Sequence, residues 1–247
     1  TGLTLSACQP QPQSTDSTTS TSTIPLIQAQ TTPVSLTKDQ VCYLETAEES
    51  ASCTKYHLQS ITTNVPWIDQ YFHEHLKQDH KEAFDPTPLL EVTLDPELPS
   101  TNYSTASVRY ISQHYQLATF EYFSDYFPAG AAHGMHHVDY VVFDLKQKQR
   151  LTLNDIVVPA QKEALKTELF DYNREWLEQR HITIQDFELS DNFYFGASGL
   201  VFVYPVYELA SYAEGLSELK LPYWALKDKI LAQYLPQLPE SSEEIYQ

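Results

Sequence analysis

No stretch of this sequence approaches the roughly 18 consecutive apolar residues that a membrane-crossing helix requires, so no such span is expected. Positive charge is also scarce. Against 33 Asp and Glu there are 15 Lys and Arg, a formal net charge of −18. All of the basic residues, and every acid but Asp16, lie at or after Lys38. A field of that sign repels phosphate backbones and makes nucleic acid an unsuitable partner; a basic protein or a cation suits it better. The same acidity also serves plain solubility. Cysteine is limited to three residues, and no nucleophile elbow or reduced-cysteine site is available, so nothing in the sequence points to covalent catalysis. What the chain has in quantity is aromatic surface: 17 Tyr, 11 Phe and 3 Trp, enough to fill a core with rings left over.

Two of the cysteines form a later pair. Cys42 and Cys53 flank a short acidic segment, and each sits beside strand-favouring residues: Val41 and Tyr43, then Thr54 and Tyr56. Two strand ends joined by a tight loop come within disulfide reach, and such a staple is the main expectation. It implies an oxidising compartment. A metal site would want further ligands nearby, and a redox pair usually has two intervening residues.

The third cysteine is Cys8. Leu5-Ser6-Ala7-Cys8 resembles the lipobox of bacterial lipoprotein precursors, in which small residues precede a cysteine that receives a lipid. Residues 1–8 are therefore expected to be the remnant of a signal segment, with Cys8 the lipidation site. Residues 9–37 are rich in Gln, Ser, Thr and Pro and read as a disordered tether. Gln9 after the cysteine resembles the outer-membrane export signal of Gram-negative lipoproteins.

From Lys38 the pattern becomes globular. Short strands are expected near 40–45 and 54–61. Pro66 then opens a helical stripe carrying Trp67, Ile68, Tyr71, Phe72, His75 and Leu76. His75 falls on the stripe as a core-edge histidine, while His73 and His80 read as solvated. A Pro-rich connector covers 85–99. Strands follow at 107–112, 117–127 and 138–145, then a helical face within 159–180. A hairpin at 193–204 turns around Ala197-Ser198, a strand covers 216–221, and Pro222 opens a closing helix with Leu226, Ile230 and Tyr234. The class is α+β, an antiparallel sheet with packed helices.

The sequences GAAHG (130–134), YVVFDL (140–145), LTLNDI (151–156) and GLVFVYPVYELASYAEG (199–215), running into LPYWALKD (221–228), resemble the RsiV-like C-terminal domain. The resemblance covers about 103–235. By layout, 38–100 is similar to the smaller part that precedes that domain in RsiV-like and PdaC-like proteins. It implies a two-part body, 38–100 and 101–238, followed by an acidic tail at 239–247. It also implies an extracytoplasmic binding protein whose relatives include a lysozyme-sensing anti-sigma factor; the signalling half of that protein has no counterpart here.

His133, Gly134, His136 and His137 are the candidate binding residues, with Asp139 close by. Three imidazoles and a carboxylate could in principle hold Zn²⁺. Alternation along a strand instead sends His136 to one face and His137 with Asp139 to the other. Only His133 falls on the family's motif, where Gly130 and Gly134 would allow a tight turn and His133 would bond backbone. A structural turn, a partner-contacting loop and a metal site stay open in that order. No cofactor, metal ligand or catalytic residue is expected. The function expected is a lipid-anchored binding protein of the envelope, in the periplasm or at the cell surface, recognising lysozyme or a similar basic protein. The alternative is an accessory lipoprotein contacting peptidoglycan or another envelope protein, and a metal-dependent hydrolase ranks third.

Overall fold

A computed structural model of the chain describes residues 23–44, 51–87 and 101–236. Cys8, the tail at 239–247 and most of the Pro-rich connector lie outside the described residues.

The first lobe is a sheet covered on one face by a helix. Its elements are β1 (Ala29–Pro33), β2 (Gln40–Leu44), β3 (Ala51–Thr63), α1 (Pro66–Asp79), α2 (Lys81–Phe84), β4 (Thr101–His114), β5 (Leu117–Phe127), β6 (Met135–Asp144) and β7 (Gln149–Leu151). The seven strands run β1-β3-β4-β5-β6-β7, with β2 also on β3. Every pairing is antiparallel except β3 with β4, which are parallel. A parallel neighbour needs a crossover, and α1 lies within it.

Strand alternation decides what each face touches. Tyr56 and Leu58 of β3, Ala106 and Val108 of β4, Phe120 and Tyr122 of β5, and Val141 and Phe143 of β6 are buried beneath α1. That helix starts at Pro66, where a missing N–H costs nothing, and presents Ile68, Phe72 and Leu76 at four-residue spacing, all fully buried. Asp69 in its first turn accepts from the Thr63 backbone N–H at 2.9 Å and the Thr63 hydroxyl at 2.6 Å, fixing the entry from β3.

The second lobe contains α3 (Leu153–Ile156), α4 (Lys162–Tyr172), α5 (Arg174–Glu178) and a three-stranded antiparallel sheet of β8 (Phe193–Phe195), β9 (Gly199–Tyr204) and β10 (Ser217–Pro222). Its core, including Leu165, Leu169, Phe187 and Phe202, also takes in Leu117 and Val142 from the other face of the large sheet. Consecutive residues of β6 therefore serve different cores.

Five sequence expectations need correction. The expected tether runs to residue 37, yet β1 pairs with β3 from Ala29 to Pro33 and Ile27 is buried. Thr31 and Thr32 are β-branched, and the flanking Ile24, Ile27, Val34 and Leu36 supply anchors to the first core. The division at residue 100 cuts through a continuous sheet, since β3 and β4 pair across it. The helical face at 159–180 is broken at Asn173, whose side-chain amide donates to the Leu169 carbonyl at 2.8 Å and to the Lys220 carbonyl at 3.2 Å, competing with the helix ladder. The closing helix is instead two 3₁₀ turns, Tyr223–Leu226 and Ala232–Tyr234. Lys227 turns extended and Asp228 takes φ +64°, while Leu226, Ile230 and Tyr234 are still buried.

His80, expected in solvent, is also buried. It ends α1 where the chain folds back into α2 over β3 and β4, with its Nδ1 3.3 Å from the Ser104 hydroxyl. Burial holds its pKa below the ordinary value.

Candidate functional site: the histidine loop and the open sheet face

The loop from Pro128 to Gly134 joins β5 to β6. Gly130 has φ +74° and provides the left-handed turn. Gly134, expected to share that role, instead faces the Asp125 side chain: a Cβ there would sit 2.7 Å from its carboxylate oxygen, so that side chain would have to swing away. His133 stacks its ring on Tyr212 at 4.4 Å, and its Nδ1 lies 2.9 Å from the carbonyl oxygen of the adjacent Gly134. The bond is made next door rather than across the turn.

The strand then separates the remaining histidines. His136 points to the face shared with the second lobe, 5.5 Å from the Tyr212 ring and stacked at 6.4 Å on Phe123. His137 points to the α1 face, where its Nε2 lies 3.1 Å from Asp139. The structure thus brings His133 and His136 together around Tyr212 and sends His137 away. Among the described residues, no three His, Cys, Asp or Glu side chains gather in a metal-holding arrangement.

Asp139 belongs to a titratable cluster on the α1 side. Tyr122 donates its hydroxyl to Asp79 at 2.8 Å, and His75 packs edge-on against the Tyr122 ring at 4.7 Å. Burial, then that hydrogen bond, pushes the Tyr122 hydroxyl far up. Burial also pushes the Asp139 carboxyl up, but the His137 hydrogen bond and the charges of His137, Arg150 and His75 outweigh it, leaving it below its ordinary value. The same hydrogen bond raises His137 against partial burial.

The pair sets a pH window. His137, raised in the folded state, contributes stability that is fully present below its ordinary 6.5 and is lost as pH rises through the folded value. Asp139, lowered, contributes above 3.8 and loses that as pH falls through its folded value. Both side chains are more than a third exposed, 48% and 36%, so screening limits the effect; it should stay within about 1 kcal/mol. Relative to His137→Gln, the parent should lose melting temperature between about pH 6 and pH 8. Identical pH profiles would dismiss the pair.

Tyr212 and Asn192 are functional-site neighbours that the sequence reading missed. Tyr212 donates to the Gly134 carbonyl at 2.9 Å. Asn192 accepts from the Tyr140 N–H at 2.8 Å and donates to the Val138 carbonyl at 2.6 Å. Its amide thus completes the edge of β6 where β7, which pairs only from Val142 to Asp144, does not reach. Tyr212 sits inside the YELASYAEG block, so its neighbourhood was flagged by sequence, but its contact 78 residues away was not.

The other face of the large sheet is only partly covered. Tyr140 packs against Tyr194 of the second lobe at 4.4 Å, whereas toward β3 the face opens. There Tyr103 stacks on His57 at 6.4 Å and is opposite Phe127 in the register. Arg109 grips Glu121 with two bonds of 2.6 and 2.7 Å. Pro33, His57, Gln59, Thr105, Ser107 and Phe123 line a shallow depression of about 420 Å³. Tyr103 and Phe127 are 43% and 36% exposed, a binding-surface composition rather than a core one.

These features define a two-lobed α+β body with an aromatic sheet face. Residues 142–224 match the sequence family described as "Protein of unknown function (DUF3298)". A crystal structure of a DUF3298 family protein from Pseudomonas aeruginosa PAO1 is similar, with a TM-score of 0.60 and 19% identity, over 87% of this chain and 99% of that one. A DUF3298 family member from Bacteroides fragilis NCTC 9343 is also similar, with a TM-score of 0.55 and 16% identity, over 85% of this chain and 96% of that one. At these identities the likeness concerns the fold. No curated protein matches the sequence.

Proposed function

We propose that the protein is a binding module of the bacterial envelope, lipid-anchored through Cys8, that presents the open face of β3, β4 and β5 to a basic protein such as lysozyme. The observation that carries the reading is the pairing of exposed rings on that face, Tyr103 and Phe127 beside His57 and Phe123, with a chain charge of −18. Exposed aromatics supply desolvated anchors, and the negative field steers a basic partner and raises its on-rate. The disulfide between Cys42 and Cys53 suits an oxidising compartment, and the RsiV-like resemblance of residues 103–235 is the source of lysozyme as the first partner to try.

Calorimetric titration of the purified body with lysozyme at low salt should show saturable binding that weakens as salt rises. A Tyr103→Ala/Phe127→Ala variant should bind at least about tenfold more weakly. Absence of heat at low salt, or equal affinity of the variant, would sink the proposal.

A further inference from the structure

At the end of the β4–β5 hairpin remote from the histidine loop lies a pocket of about 210 Å³. It is enclosed by the hairpin tip, the β8–β9 turn at Gly196 and Ala197, and the final 3₁₀ turn. Phe195 and Tyr234, 2% and 4% exposed, are among the rings that line it. The Tyr223 hydroxyl donates to the Gly196 carbonyl at 2.6 Å, which fixes a third ring in the wall. His114, Gln116 and Gln233 supply polar groups. Among the described residues, no Asp, Glu, Lys or Arg lines it, although the chain carries 48 such residues.

Tyr115 provides an independent observation. It is the first residue of a two-residue loop, since His114 and Leu117 are paired, and its φ is +52°. Glycine is the usual occupant of a positive-φ first position in such hairpins, and a bulky side chain there is strained. The Tyr115 ring is 79% exposed and has no ring or hydrogen-bond partner among the described residues. The turn does not depend on it: Gln113 Nε2 donates to the Tyr115 carbonyl at 2.9 Å and holds the backbone. A strained ring with no partner in the fold is free to contact a ligand in the pocket it lines.

The lining limits what can enter. A charged ligand would find no counter-charge among the described lining residues to replace its water. A wholly apolar one would strip water from the imidazole and amides without replacing their hydrogen bonds. The volume lies below the roughly 300–1,000 Å³ of ordinary small-molecule sites, so it accepts a single ring. We propose that the pocket is a subsite for an uncharged sugar ring, with its C–H face against the Tyr115, Phe195 and Tyr223 rings and its hydroxyls toward His114 and Gln116. Gln116 already spends its Nε2 on the Gln233 carbonyl at 3.0 Å, which leaves its Oε1 to accept from a hydroxyl. The site lies apart from the open sheet face and does not rest on the protein-binding reading.

The test follows tyrosine and tryptophan fluorescence of the full chain while N-acetylglucosamine, methyl glucoside or N-acetyl-tyrosinamide is added. A sugar should give a saturable change with a dissociation constant on the order of millimolar. Tyr115→Asn, which suits the positive φ, should weaken that binding about tenfold while leaving the melting temperature equal or higher. Ala197→Trp, which fills the mouth from an exposed position, should abolish it with the fold intact by circular dichroism. Lysozyme binding should be the same in all three proteins, which separates this site from the open face. The proposal is overturned by an unsaturable sugar titration, or by unchanged sugar affinity in Tyr115→Asn. Saturation by N-acetyl-tyrosinamide alone also overturns it, by making the pocket a seat for a partner protein's aromatic side chain.

Discussion

Replacing Phe143 with alanine should cost about 4 kcal/mol of folding stability, the range for deleting a large ring from a packed interior. The side chain is fully buried on β6. Its ring centroid lies 5.0 Å from Trp67, 5.1 Å from Tyr71, 5.8 Å from Phe72 and 5.7 Å from Phe120. Three of these partners come from α1 and one from β5, so this ring is where helix and sheet are joined. Its removal leaves a cavity that four aromatic rings cannot collapse into without leaving their rotamers, and the favourable edge-to-face geometry is lost with it. Because a domain of this kind is stable by only about 5–15 kcal/mol, the variant should unfold at a much lower denaturant midpoint with an unchanged slope. A loss below about 1 kcal/mol would mean that the helix–sheet junction is held elsewhere.

Opening the Cys42–Cys53 disulfide should cost about 3 kcal/mol by the chain-entropy account for so short a loop. The two residues are 11 apart in sequence and are directly opposed in the β2–β3 register. The bond joins a five-residue edge strand to the longer β3, where Cys53 is fully buried. Without it β2 keeps its ladder to β3, a contact with α2 and the burial of Val41 in the first core, so the loss should appear first as fraying of β2. Urea unfolding with and without reductant, and of Cys42→Ala/Cys53→Ala, measures it. Identical midpoints would show that the covalent link adds nothing to the pairing.

Much of the fold was legible because its elements obey one period each. β5 and the β8–β9 hairpin follow alternation and turn chemistry nearly to the residue, β6 begins three residues before its expected start, and α1 follows Pro66 and a four-residue stripe. The disulfide was legible from two strand-like flanks around a short polar segment. What failed depended on partners far away in sequence. Residues 23–37 look like a linker until β3 supplies an edge for them. A single helix over 159–180 is interrupted because Asn173 finds the Lys220 carbonyl 47 residues on. Leu226, Ile230 and Tyr234 recur at helical spacing, yet short turns bury all three equally well. At the candidate site, alternation separated His136 from His137 correctly, while the roles of Tyr212, Asn192 and Asp125 needed coordinates. A polar side chain that completes another strand's backbone carries no local pattern.

The Asn192 amide has one further consequence. A bare stretch of strand backbone is a template on which a second chain can align, and proteins that leave one open invite fibres or swapped dimers. Beyond the short reach of β7, β6 would offer such a template at Val138 and Tyr140, and Asn192 occupies both groups with a single side chain. The second lobe therefore acts as a plug as well as a neighbour. Separating it from the first would bare that stretch of β6 backbone to a second chain.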